Sequence, residues 1–245
     1  MSKKIILENY NELEAVKEDG YRLGSGAFGT CYLMPNGFEV YKLFDDTEIQ
    51  YYYDLKFFDH LLDVKNDSYV FPENLIYVKD KIIGYSMRYV PGQTLTNCFE
   101  KIKLSNLPKF ISKLEIDTKK ISDSFIKTSD IALRNTIVNK KGFYFIDTDD
   151  YLYSDWRTPD KVYEENQKQI RSMLMTEIAK NYSEINLYIK EDKVMQFIMR
   201  TMKNDSKASL VDFFVYLEIL ANKVADVPIT TFSDLKKIKV KSNEK

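Results

Sequence analysis

Cysteine occurs only twice in 245 residues, at Cys31 and Cys98. Two thiols so far apart supply neither a disulfide framework nor the spacing of a zinc site, which points to a reducing compartment. Histidine is rarer still, and a Ser-His-Asp triad or a His-rich metal site would have to be built around His60 alone. A surplus of positive charge is also missing: Lys plus Arg number 36 against 37 for Asp plus Glu, a net charge of -1. That balance argues against a nucleic-acid wrapper or a polybasic membrane binder. No apolar run approaches the roughly 20 residues that span a bilayer. The opening Met-Ser-Lys-Lys-Ile-Ile-Leu-Glu-Asn is charged too early for a signal peptide. A soluble, cytoplasmic protein is expected, with no nucleic acid and no membrane among its partners. Hydrophobic residues at 44% and charged residues at 30% are ordinary globular usage, enough for one large domain or two small lobes.

Glycine nearly vanishes after Gly92, Gly142 being the only later one. The first ninety residues read as strands and turns. Asn36-Gly37 between two apolar flanks is a hairpin signal, and Lys79-Asp80-Lys81 marks a second. Between them Tyr51, Leu55, Phe58 and Leu62 predict a helix over 47–62. Beyond Pro91-Gly92 the pattern is mostly helical. Apolar stripes through Ile170, Met173, Leu174 and Ile178, through Val194, Phe197, Ile198 and Met202, and through Leu210 to Val224 predict core-facing helices. One extended island, 136–138 and 143–146, forms a hairpin within this half. The expected architecture is α+β: a small antiparallel sheet lobe with one helix over 1–90, a mainly helical lobe over 91–233, and a solvated basic tail over 234–245.

Leu23-Gly24-Ser25-Gly26-Ala27-Phe28-Gly29 contains Gly-x-Gly-x-x-Gly. A dinucleotide fold needs a helix after such glycines, whereas a strand and hairpin follow here, so they read as a flap whose backbone N–H groups approach phosphates. Lys42 follows in an apolar strand. Asp130 then precedes Asn135 by five residues, and the later hairpin ends in Asp147-Thr148-Asp149-Asp150. Phosphoryl transfer asks for a phosphate clamp, positioned cations and a group that orients the attacking hydroxyl. These parts occur in the order glycine loop, Lys, Asp, Asn, Asp.

By these motifs, over roughly residues 20 to 150, the chain resembles the protein kinase superfamily. The resemblance implies a bilobal fold that binds ATP and Mg²⁺. The flap would comprise Leu23, Gly24, Ser25, Gly26 and Gly29, and Lys42 would hold the α and β phosphates. Met87 would stand as gatekeeper, with backbone groups at Arg88, Tyr89 and Val90 on the adenine and Ile137 beneath it. Asp130 would be the catalytic base, and Asn135 and Asp147 would hold the metal. Asp59 has the family spacing for the acidic mate of Lys42, with Glu48 and Asp54 as alternatives. The implied reaction moves the γ-phosphate of ATP to a Ser or Thr of a protein.

The departures are specific. Thr128-Ser129 replace His-Arg before Asp130, Ala132 replaces the usual lysine, Thr148-Asp149 follow Asp147, and no Ala-Pro-Glu closes a short activation segment. They leave open a small-molecule kinase of aminoglycoside or choline type, or a catalytically inactive nucleotide-binding scaffold. Asp149 and Asp150 read as a solvated turn, Trp156 as core, and Cys31 as a small strand residue. The Tyr, Lys and Ile richness fits an AT-rich, bacterial coding sequence.

Overall fold

Six short strands, each bounded by turn residues, form one mixed sheet in the computed structural model, which describes residues 3–26, 28–45, 59–62, 64–205 and 208–239. They are β1 (Lys3–Leu7), β2 (Tyr21–Ser25), β3 (Gly29–Leu33), β4 (Glu39–Phe44), β5 (Asn74–Val78) and β6 (Lys81–Arg88), in the order β1-β5-β6-β4-β3-β2. Gly37, at φ 73°, turns β3 onto β4, and Lys79, at φ 54°, turns β5 onto β6. Both expected hairpins are therefore present.

Two features depart from an antiparallel sheet with one helix. β1 pairs parallel to β5, and helix α1 (Tyr10–Asp19) follows it. Asn9 Oδ1 accepts the Asn11 and Glu12 N–H groups at 2.9 and 3.2 Å, while the Glu12 carboxylate accepts the Glu8 N–H at 2.9 Å. These bonds satisfy donors that a helix start leaves unpaired. Leu13 and Val16 bring the helix onto a core of Leu43, Ile76, Val78 and Ile83. The other helix expected here, over 47–62, falls outside the described residues except for 59–62, which are helical.

The chain forms two compact units, 1–91 with 144–153, and 92–143 with 154–245. Residues 144–153 sit with the sheet, not with the helical stretch in which they were expected. Phe145 donates its N–H to Ser68 O at 2.7 Å and accepts the Val70 N–H at 2.9 Å. Its ring and that of Tyr151 lie against Tyr69.

In the second unit the helices Leu107–Asp123, Pro159–Asn181 and Val211–Val224 supply the core, with Ile111, Leu114, Ile170, Leu174, Phe213, Phe214 and Leu217 all but inaccessible. The strands here are β7 (Gln93–Thr94), β8 (Ile126–Lys127) and β9 (Thr136–Asn139), and β10 (Gly142–Phe145) carries the chain into the other unit. Gln93 and Thr94 pair antiparallel with Val138 and Ile137. The stripe on helix Lys193–Asn204 is not core as expected: Met195 is buried there, while Val194 and Phe197 face solvent. The basic tail also starts later than 234. Leu235 and Ile238 are buried, and the Tyr188 hydroxyl donates to Lys239 O at 3.0 Å. Trp156, expected in the core, is 70% exposed. Among the described residues no helix is long and apolar enough to cross a membrane.

Gly84 is fixed by close approach, since a Cβ there would lie 2.2 Å from the Lys42 carbonyl oxygen. Gly84→Ala must force β6 away from β4, and overpacking of this kind costs about 1–3 kcal/mol. Thermal unfolding followed by circular dichroism should therefore give a clearly lower midpoint. An unchanged midpoint would mean that the two strands are not held this closely.

Candidate functional site

The glycine turn lies between β2 and β3, and its first part runs through a register shift between Arg22 and Gly24. Gly26 donates its N–H to Gly29 O at 2.9 Å. Neither Gly24 nor Gly26 has a positive φ, and among the described residues nothing lies within 4 Å of a Cβ built on either. Backbone conformation and internal packing thus do not require glycine at these two positions. What glycine supplies there is a backbone that a ligand can approach. Leu23 is exposed, and Ser25 Oγ accepts from Arg22 Nη2 at 2.9 Å.

Two residues beyond Gly29, Cys31 stands opposite Lys42 in the β3–β4 register. Lys42 is only 5% exposed. Its Nζ donates to Asp147 Oδ1 at 2.5 Å and to Asp149 Oδ1 and Oδ2 at 3.1 and 2.9 Å. Burial alone would lower the lysine pKa, but the Asp149 and Asp147 carboxylates outweigh it and hold the amine above its ordinary value. Burial raises the Asp147 carboxyl from its ordinary value, with Lys42 pulling down and Asp149 pushing up. Asp149 is buried, not part of a solvated turn, and Thr148 between the two acids donates its hydroxyl to Val70 O at 2.8 Å. Asp150 is exposed.

Lys42 thus takes its carboxylates from the chain after β10. Asp59, the favoured mate from spacing, is exposed, and its charge is felt at Tyr77, not at Lys42. Glu48 and Asp54 lie outside the described residues.

At the end of β6, Met87 is buried opposite Val40, and Arg88 pairs with Glu39. Arg88 Nη2 donates to Asn66 O and Asp67 O at 3.2 and 2.5 Å. The Tyr89 N–H is engaged by Phe38 O at 2.7 Å, so of the backbone donors expected to meet a base this one is already taken. Val90 is buried.

The second unit carries the remaining residues. Asp130 has φ 42° and Asp147, in the first unit, has φ 62°. Non-glycine residues in the left-handed region are uncommon, and they cluster at functional sites because the surrounding structure must enforce them. For Asp130 the enforcing contacts are visible. Asn166 Oδ1 accepts the Thr128 N–H and hydroxyl at 2.8 and 3.0 Å, its Nδ2 donates to Ser122 Oγ and Ile126 O, and Gln169 Nε2 donates to Thr128 O at 2.7 Å. Two helix amides therefore clamp the segment that leads into Asp130, where the sequence has Thr128-Ser129. Neither amide was singled out from sequence, although two polar residues three apart on the buried face of helix Pro159–Asn181 are an available signal.

Asp130 is partly exposed, and both its oxygens accept from Arg134 Nη2, at 2.8 and 2.6 Å. Asn135 Nδ2 donates to Asp130 Oδ2 at 2.9 Å and to its backbone oxygen at 3.2 Å. Ile137 is half-buried on β9 opposite Thr94. Beside Asp130 runs an open groove of about 420 Å³, lined also by Gln169, Ser172, Thr176, Glu177 and Lys180. Arg157 pairs with Glu165, which also meets Lys127.

A hard divalent cation takes oxygen donors. Asn135 Oδ1 makes no hydrogen bond among the described residues, and Asp147 gives Lys42 only one of its two oxygens, so each residue can offer an oxygen. No group of three or more His, Cys, Asp or Glu forms a cage among the described residues. Donors of this kind suit Mg²⁺, which keeps several waters and takes others from phosphate oxygens. Compared with protein-family models and with curated proteins, the chain matches none.

Cys31 gives a probe of this environment. Burial, against a smaller pull from Lys42, pushes its thiol up to about 11. Because the thiolate is the nucleophile, a raised pKa suppresses reaction at neutral pH. In a Cys98→Ser background, alkylation by iodoacetamide should be slow at pH 8 and accelerate toward pH 11. A rate profile with its midpoint at or below 9 would contradict the described burial.

Proposed function

We propose that the chain is an ATP- and Mg²⁺-dependent phosphotransferase of protein kinase-like, bilobal fold that moves the γ-phosphate of ATP to a Ser or Thr hydroxyl of a protein. The observation that carries this reading is Lys42: a buried lysine, clasped by Asp147, on the strand behind a glycine turn in which Gly24 and Gly26 meet nothing among the described residues that requires glycine, while Gly29 is fixed by its close approach to Leu43 O. A buried cation beside backbone open to approach suits an anionic ligand such as a nucleotide's phosphates.

In this reading Lys42 contacts the α and β phosphates, and Asp147 and Asn135 would be the oxygen donors to Mg²⁺, which when bound would supply neutralisation of charge on the transferring group. Asp130 orients the acceptor hydroxyl and takes its proton. Arg134, anchored on Asp130, supplies the cation that Ala132 does not, and in the resting state it also masks the carboxylate. The left-handed backbone of Asp130 and Asp147 supports roles that demand fixed carboxylates. Met87, Arg88 and Val90 stay as the expected adenine contacts, with Ile137 beneath the base, and Tyr89 contributes through groups other than its engaged N–H.

A second reading, a small-molecule kinase, is favoured by one observation. The groove beside Asp130 has the volume of a small-ligand site and a lining rich in hydroxyl, amide and charged groups.

Incubation with MgATP labelled at the γ-phosphate, offered a generic protein and then a panel of aminoglycosides, sugars, nucleosides and choline, tests both. Transfer to protein is expected, with Asp130→Asn and Asp147→Asn each reducing it about 10²–10⁴-fold. Label on a small molecule alone replaces the acceptor class, and full transfer by Asp130→Asn removes the mechanism.

A further inference from the structure

The Lys42 ammonium makes three carboxylate contacts, one with Asp147 Oδ1 and two with Asp149, as many as it has N–H groups. A phosphate that reaches this amine competes with these carboxylates for it. The two carboxylates are unequal. Asp149 is 3% exposed and presents both oxygens to the amine, whereas the Asp147 side chain is 47% exposed, gives the amine one oxygen only and also lies within hydrogen-bonding reach of the Asp149 carboxyl. Thr148, whose hydroxyl is fixed on Val70 O, sets the link between them.

We propose that Asp149, in place of Asp59, is the positioning residue that seats Lys42 for nucleotide phosphates, and that it stays on the amine while Asp147 exchanges Lys42 for the cation. The inference rests on the reading of Lys42 as a phosphate ligand. One amine facing two carboxylates carries net negative charge and repels a bare nucleotide. Asp147, if it served a divalent cation, would give up its bond to Lys42, and the local charge would no longer be negative. Nucleotide and cation therefore enter together, and the seat of Lys42 does not depend on Asp59.

The test is calorimetric binding of ADP, with and without Mg²⁺, to the wild type and to Asp149→Asn, Lys42→Met, the double variant and Asp147→Asn. Melting of the ligand-free proteins runs alongside. Asp149→Asn should weaken MgADP binding about tenfold, and should add nothing in the Lys42→Met background. Asp147→Asn should make ADP binding nearly independent of Mg²⁺. In the ligand-free proteins, Asp149→Asn should restore part of the melting temperature lost in Lys42→Met, because it relieves carboxylate repulsion. Should Asp149→Asn not fold, Asp149→Glu replaces it, with a smaller loss of affinity expected because the charge is kept. Unchanged MgADP affinity in Asp149→Asn, or losses that multiply with those of Lys42→Met, overturns the role of Asp149 while leaving the nucleotide reading intact. A wild type that binds no nucleotide overturns both.

Discussion

A charged amine 5% exposed to solvent is the constraint around which the sheet unit is arranged. An uncompensated buried charge costs several kcal/mol, so Lys42 can be folded inside only if carboxylates are delivered to it. They come from a segment more than a hundred residues later, which must leave the helical unit and join the sheet unit to reach it. The bonds of Phe145 with Ser68 and Val70, and the Thr148 hydroxyl on Val70 O, hold that segment in place. The discontinuous make-up of the first unit, 1–91 with 144–153, is the topological expression of this requirement.

The same segment explains why Asp147 differs from its neighbour. Asp149 is wholly internal and acts as a counter-ion. Asp147, in the left-handed region two residues earlier, keeps nearly half of its side chain exposed. A fixed backbone with a half-exposed carboxylate suits the exchange of cations proposed above. Asp130 shows the parallel arrangement in the other unit, where Asn135, Arg134 and the Asn166–Gln169 clamp hold the loop. Both acids are set by neighbours rather than by regular secondary structure.

Turn chemistry and short-range periodicity made the two hairpins, the glycine turn and the long core helices legible in the sequence, because each is decided within a few residues. The candidate residues were legible too, as types at a spacing. Partnership was not. Asp59 fitted a spacing rule, but Lys42 takes its counter-ions from a loop 105 and 107 residues on, and no local pattern encodes that distance. The parallel pairing of β1 escaped for the same reason, since register with β5 is a long-range matter. Helix α1 had a local signal in Asn9 and Glu12, set among residues otherwise typical of strands and turns. The apolar stripe of Lys193–Asn204 misled because periodicity tells which residues share a face, not whether another element covers it.

The strand order leaves β2, which carries the first glycines, with one neighbour only, and all five of its residues are exposed. Strands β4, β5 and β6 are each bonded on both sides and contribute Leu43, Ile76 and Ile83 to the core. Local opening free energy therefore falls across the sheet from its middle toward this edge. The glycine strand can detach from β3 by giving up a single ladder and no buried apolar contact. The element that the proposed reading sets against a nucleotide is thus the one whose release leaves the folded core untouched.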